Sequence, residues 1–205
     1  MCFSDILKRG KAMEQLNSTK NKISSVAWKL FYEQGYESTT VDQIINECGI
    51  SKGNFYHYFS AKDDLLNTLS DIFDEEYTKI MDNLDVNMNS FDKLITMSRH
   101  LFRFIEENVP VDLLATLYSS QIIKKGKKTL LDQQRVYYKV LQQIISEGQN
   151  RNQIKNDRSF WELAKIYAMQ ERAILYDWCI CEGSYPLSSY GIELLELFLK
   201  DFKID

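Results

Sequence analysis

Residues 39–66 read "TTVDQIINECGISKGNFYHYFSAKDDLL". Two short runs in it have helical spacing. Val41, Ile44 and Ile45 recur at three-and-four intervals, and Gly49 follows Cys48 at once. Ser51, a good N-cap, opens a second run that ends near His57 or Tyr58. Two short helices joined by a three-residue turn (Gly49, Ile50, Ser51) form the helix-turn-helix pattern. Gly49 supplies the left-handed backbone that the turn requires, and Ile50 plugs the space beneath it. Phe55 and Phe59, four apart, point inward. Ser51, Lys52, Gly53, Asn54, Tyr56 and His57 fall on the outer side. That side suits a DNA major groove. Gly53 lets the backbone approach a duplex, and the Asn54 amide can pair with adenine. Tyr56 and His57 can donate to phosphates, and Lys52 and Lys62 can neutralise them.

Upstream, Ile23, Val26, Ala27, Leu30 and Phe31 predict a first helix over about 18–34, ended by Gly35. Thr39 is the expected cap of the second helix (about 40–48). Ser60, with Asp63 three on, is the expected cap of a long fourth helix (about 61–84). Beyond a polar break at 85–90, the pattern predicts helices at about 91–107, 111–124, 128–148 (stopped by Gly148), 159–181 and 188–202. "KKGKK" (124–128) reads as a basic, solvated loop, with added DNA contact as the lesser alternative. The whole is an all-α chain of about nine helices. A head at 17–64 (helix-turn-helix about 40–59) is joined by the fourth helix to a body at 65–205.

Composition agrees. Among 205 residues, 44% are hydrophobic and 26% charged, with only two prolines to break helices. No window approaches the length of a membrane span. The net charge of −4 lies entirely beyond residue 66; residues 1–66 hold eight basic and eight acidic side chains. A neutral small module on an acidic larger one is the expected organisation. Cys179 and Cys181, two apart, do not share a helix face, so no metal is expected there and no cofactor is implied. Reduced thiols fit a cytoplasmic protein. No nucleophile or metal set surrounds His100, His57 belongs to the recognition helix, and no phosphate-binding glycine loop appears, so catalysis is not expected. Residues 1–16 read as a flexible N-terminal extension. "KRGKA" before Met13 can be written in purine codons, so residues 1–12 read either as translated upstream sequence or as a mobile basic arm.

Over about residues 17–77 the chain resembles the TetR family of bacterial transcriptional repressors. The turn glycine, Ser-Lys-Gly, Tyr-His-Tyr-Phe and Lys-Asp-Asp-Leu-Leu all fall in register. Ile45 and Cys48 stand where that family usually has alanines. The resemblance implies further phosphate contacts from Thr40 and from Thr19 or Lys20 at helix starts. It also implies a helical ligand-binding and dimerisation body. The expected function is a ligand-responsive repressor that binds operator DNA as a homodimer and is released by a small-molecule effector. The alternative is a helical protein-interaction adaptor that kept the fold without operator binding.

Within the body, Phe73, Tyr77, Phe102, Tyr118, Tyr137, Tyr167 and Trp178 are candidate effector residues, with core packing as the other reading of each. Phe160, Ala164, Tyr167, Glu171, Ile174 and Trp178 share one face of the eighth helix. A carboxylate there needs a partner, so Glu171, framed by Tyr167 and Trp178, reads either as selecting a cationic or donor-rich ligand or as pairing with an arginine or a tyrosine hydroxyl. Ile174, Ile192, Leu195, Leu199 and Phe202 are the candidate dimer contacts.

Overall fold

The computed structural model describes residues 18–123 and 128–204. The N-terminal extension and most of the basic loop expected from the sequence (Lys124, Lys125, Lys127) lie outside the described residues. Nine α-helices make up the described part: α1 (Ser18–Gln34), α2 (Val41–Cys48), α3 (Lys52–Tyr58), α4 (Lys62–Asn83), α5 (Ser90–Asn108), α6 (Val111–Ile123), α7 (Val136–Asn150), α8 (Phe160–Ile180) and α9 (Ile192–Phe198). The chain is all-α, as its sequence pattern requires.

Helix α1 buries Ile23, Ala27, Trp28 and Phe31 against α2 and α4. Helix α2 buries Ile44, Ile45 and Cys48, and Gly49 ends it in the left-handed region (φ 64°). The Gly49 N–H returns to the carbonyls of Asn46 and Ile45, which turns the chain into α3. The larger residues at 45 and 48 are accommodated by burial, with the Cys48 Sγ 4.0 Å from the Lys22 carbonyl of α1.

Helix α4 has 22 residues, so it is about 33 Å long. It serves both modules. The Trp28 indole of the head donates to Thr68 Oγ1 (2.7 Å), while the Gln121 amide of α6 donates to Asn67 Oδ1 (3.4 Å). Further along α4, Phe73 meets Phe104 of α5 and Tyr77 stacks on Tyr137 of α7. Helix α5 packs against α4, α7, α9 and the turn that precedes α9. Helix α8 packs against α6, α7 and α9.

Five local expectations are corrected. Thr40, not Thr39, caps α2: Thr40 Oγ1 accepts from the Gln43 N–H, and Gln43 Oε1 accepts from the Thr40 N–H. Thr39 is fully buried and donates to the Gly35 carbonyl. At α4 the N-cap is Ala61, with no side-chain cap; the Ser60 N–H donates to Asp64 instead. Helix α7 starts eight residues later than its pattern predicts. A 3-10 turn (Thr129–Leu131) comes first, and Arg135 fixes the new start through Asp74 (2.7 Å) and the Ser70 carbonyl (2.9 Å) of α4. Gly148 lies inside α7 rather than after it. A Cβ there would come 2.6 Å from the Ile154 side chain and 2.8 Å from Ser90, so the glycine permits close packing. Helix α9 is shorter than predicted, because residues Leu187–Gly191 form a π turn whose N–H groups at Leu187 and Ser188 are held by the Glu106 carboxylate.

Candidate functional site

The head presents α3 as a short, rigid rod. The Ser51 hydroxyl accepts from the Asn54 N–H, and Phe55 (0% exposed) and Phe59 (4%) anchor the inner side. The outer side carries Ser51, Lys52, Gly53, Tyr56 and His57, all exposed, with Asn54 half-buried. Lys52 reaches back to Asp42 of α2 at 3.2 Å, but both side chains are largely solvated, so little energy holds that pair. Nothing lies within 4 Å of a Cβ built at Gly53. The packing of this protomer therefore gives no reason for a glycine there, and neither does its backbone, which lies within α3 and outside the positive-φ set.

Thr19 and Lys20 sit in the first turn of α1, and the Lys20 ammonium lies 6.0 Å from the Phe59 ring, beside the end of α3. Thr40 is exposed at the start of α2, with its hydroxyl engaged in the cap. Lys62 has a structural task as well. Its ammonium donates to the carbonyls of Tyr36 (2.8 Å) and Thr39 (2.9 Å) and stands 4.0 Å over the Tyr36 ring. Tyr36 in turn donates to Asp63 at 2.5 Å. Burial and that carboxylate raise the Tyr36 phenol far above its ordinary range. These contacts clamp the α1–α2 link to the start of α4. No spacing rule in the sequence signals them, because each joins residues 23–27 apart through a loop.

In the body, the structure divides the eight candidate effector residues. Tyr77, Tyr137, Tyr167 and Glu171 come together in one buried cluster. Phe73 packs on Phe104, Phe102 lies against Gly191 of the π turn, and the Trp178 indole donates to the Tyr185 carbonyl. Tyr118 lines a groove described below. Glu171, 3% exposed, is engaged at both oxygens: Ser98 at Oε1 and the Tyr137 hydroxyl at Oε2. Its partners are hydroxyls of α5 and α7.

The Tyr167 hydroxyl donates to the Leu94 carbonyl (2.8 Å) and lies 2.5 Å from the Ser98 hydroxyl, which donates to Glu171. Burial raises the Glu171 pKa, with the two hydroxyls opposing it. Both carboxyl oxygens are engaged within the protein.

The groove lies between α6, the 3-10 turn and α8, with a volume of about 370 Å³. Tyr118, Gln121 and Ile122 line it from α6, Lys128, Leu130 and Leu131 from the segment of the 3-10 turn, and Met169, Arg172, Ala173 and Tyr176 from α8. Arg172 Nη1 donates to the Tyr138 hydroxyl at 3.1 Å, and among the described residues no carboxylate forms an ion pair with it.

The five candidate dimer residues are buried in the protomer itself: Ile174, Ile192, Leu195, Leu199 and Phe202 are all at most 7% exposed. Their spacing marks an apolar face correctly, but that face closes this chain's own core. The exposed apolar side chains nearby are Ile180, Tyr190, Leu197 and Phe198. Among the described residues no helix is long and apolar enough to cross a membrane, and no cluster of His, Cys, Asp or Glu could hold a metal ion.

Residues 23–69 match the family model described as bacterial regulatory proteins, tetR family. The transcriptional regulator YuxN of Bacillus subtilis is 47% identical over 60 residues, which span 29% of this chain and 21% of that regulator. The transcriptional repressor KstR2 of Mycobacterium tuberculosis is 25% identical over 149 residues, 70% of this chain and 74% of the repressor. In fold, the chain is similar to Thermus thermophilus FadR, a TetR-family repressor solved with lauroyl-CoA. The TM-score is 0.76 at 16% identity, covering 91% of this chain and 96% of FadR. Residues 23–69 thus carry the head described by the tetR family model of bacterial regulatory proteins, on a body with the fold seen in FadR.

Proposed function

We propose that the protein is a homodimeric repressor that binds an operator through α3 and releases it when a small molecule occupies the helical body. The observation that carries the DNA reading is Gly53. It is a glycine on the outer face of α3, beside Lys52 and Asn54, in a place where the protomer itself leaves open space. A duplex backbone or base edge against α3 is the neighbour that accounts for it. Asn54 reads a base edge; Ser51, Tyr56 and His57 contact phosphates or bases; Lys52 leaves Asp42 for phosphate. Thr19, Lys20 and Thr40 add contacts where the starts of α1 and α2 offer N–H groups to phosphate. Lys62 keeps one further donor for phosphate while it clamps the head.

The dimer forms through the exposed side chains Ile180, Tyr190, Leu197 and Phe198, which continue the apolar surface of α8 and α9. Effector control operates through α4, which is tied to the head at Thr68 and to the body at Asn67. A ligand that favours one position of α4 favours one separation of the two heads, and only one separation fits both half-sites. The complex of FadR with lauroyl-CoA supports ligand control on this fold. The test is salt-dependent binding to DNA upstream of the protein's own gene, for the parent and for Asn54→Ala. A preference relaxed at one base pair of each half-site, with nonspecific binding retained, is the expected result; equal preference in both refutes the reading.

A further inference from the structure

The chain carries 29 acidic and 25 basic residues, yet the groove between α6 and α8 is lined by two cations and no carboxylate. The rest of its lining is almost wholly apolar, and its volume of about 370 Å³ falls within the range of small-molecule sites, roughly 300–1,000 Å³. Arg172 is half-buried, neutralised by no carboxylate among the described residues, and turned so that one nitrogen rests on the Tyr138 hydroxyl. A guanidinium in that position retains donors in a planar fork suited to a carboxylate or phosphate. Ile122 and Leu131 stand well exposed at the apolar lip, at 71% and 51%.

We infer that this groove is the site of an amphipathic anion: an apolar chain lies along Ile122, Leu131 and Met169, and its negatively charged head meets Arg172 and Lys128. Tyr118 lines the same groove. The inference rests on the reading of the protein as a ligand-controlled regulator, and it names the class of that ligand. Two sources share the chemistry: a free carboxylic acid, and an acyl thioester whose head carries phosphates.

Calorimetric titration of the full-length protein with ten-carbon probes below their micellar range separates these cases. Decanoate or decanoyl-CoA is expected to bind at least tenfold more tightly than decanol or decyltrimethylammonium, and the stronger of the first two identifies the head group. Arg172→Gln is expected to weaken the anion at least tenfold while leaving decanol unchanged. Leu131→Glu, on the path of the apolar chain, is expected to weaken the anion and decanol alike, from an exposed position that the core does not need. Equal affinity for the cation and the anion overturns the assignment, as does undiminished anion binding in both variants. A change of oligomeric state in either variant with unchanged anion affinity also overturns it, and makes the groove a subunit contact. If the anion binds as described but leaves a selected operator bound, the site stands and the regulatory reading fails. If another compound releases the operator from Leu131→Glu and the parent alike while no anion binds, the assignment fails alone.

Discussion

Gly53 offers a test in which stability and function move in opposite directions. It lies one residue inside α3, and a Cβ built on it meets nothing within 4 Å. Its φ is not positive. Alanine therefore fits the folded protomer without strain and restricts the unfolded chain. The usual gain of alanine over glycine in a helix is about 0.5–1 kcal/mol. For a chain of this size that corresponds to a rise in Tm of roughly 1–4 °C. Gly53→Leu extends the same argument, since the space is open and leucine is a good helix former. If the space is reserved for a duplex, both substitutions obstruct α3, leucine more than alanine. Thermal unfolding followed by circular dichroism, paired with operator titration, reads both effects. The expected result is equal or higher Tm for both variants, with operator affinity falling from glycine to alanine to leucine. A fall in Tm shows that the protomer needs the glycine. An unchanged affinity for Gly53→Leu shows that DNA does not.

The raised pKa of Glu171 sets a pH dependence with a definite sign. The folded state holds the proton more tightly than the unfolded state, so this stability is complete below the ordinary carboxyl range and is lost as pH rises through the folded pKa. Each pH unit between the ordinary carboxyl value and the folded pKa removes about 1.4 kcal/mol, and above the folded pKa the loss stops. Glu171→Gln, which cannot ionise, is expected to flatten that loss in denaturant unfolding; an unaltered slope shows that Glu171 does not set it. Leu197→Glu combined with Phe198→Glu is expected to yield folded monomers in sedimentation, because both side chains are about half exposed (56% and 51%). A persistent dimer places the interface elsewhere. Asp74→Ala leaves the Arg135 guanidinium, 10% exposed, without its carboxylate and with only the Ser70 carbonyl, and should cost about 3 kcal/mol in urea unfolding. A cost under about 1 kcal/mol shows that Arg135 does not fix the start of α7.

The head was legible in the sequence because its determinants are local. A glycine with φ 64°, a serine cap and two inward phenylalanines four apart act over short distances, and each does so in the structure. Helix ends in the body were less legible because distant residues set them. The start of α7 depends on Asp74, and the π turn before α9 depends on Glu106, 81 residues earlier. Likewise, the buried face of α8 was readable from its period, but the partners of Glu171 were not, since Ser98 and Tyr137 arrive from other helices. The apolar period of α9 was also readable. It does not say whether such a face meets its own chain or another, and Ile192, Leu195 and Leu199 meet their own. The groove has no local signature at all: Lys128 and Arg172 are 44 residues apart, and only the packing of α6 on α8 brings them to one cavity.

Selection of bound duplexes from a random-sequence pool at physiological salt tests the central claim most directly. The account predicts enrichment of two inverted half-sites whose centres lie a whole number of helical turns apart, about 34–36 Å or a multiple. Substituting Asn54 should relax the preference at one base pair in each half. A pool that emerges without enriched sequence, or with a single unrepeated half-site, contradicts an operator-binding dimer.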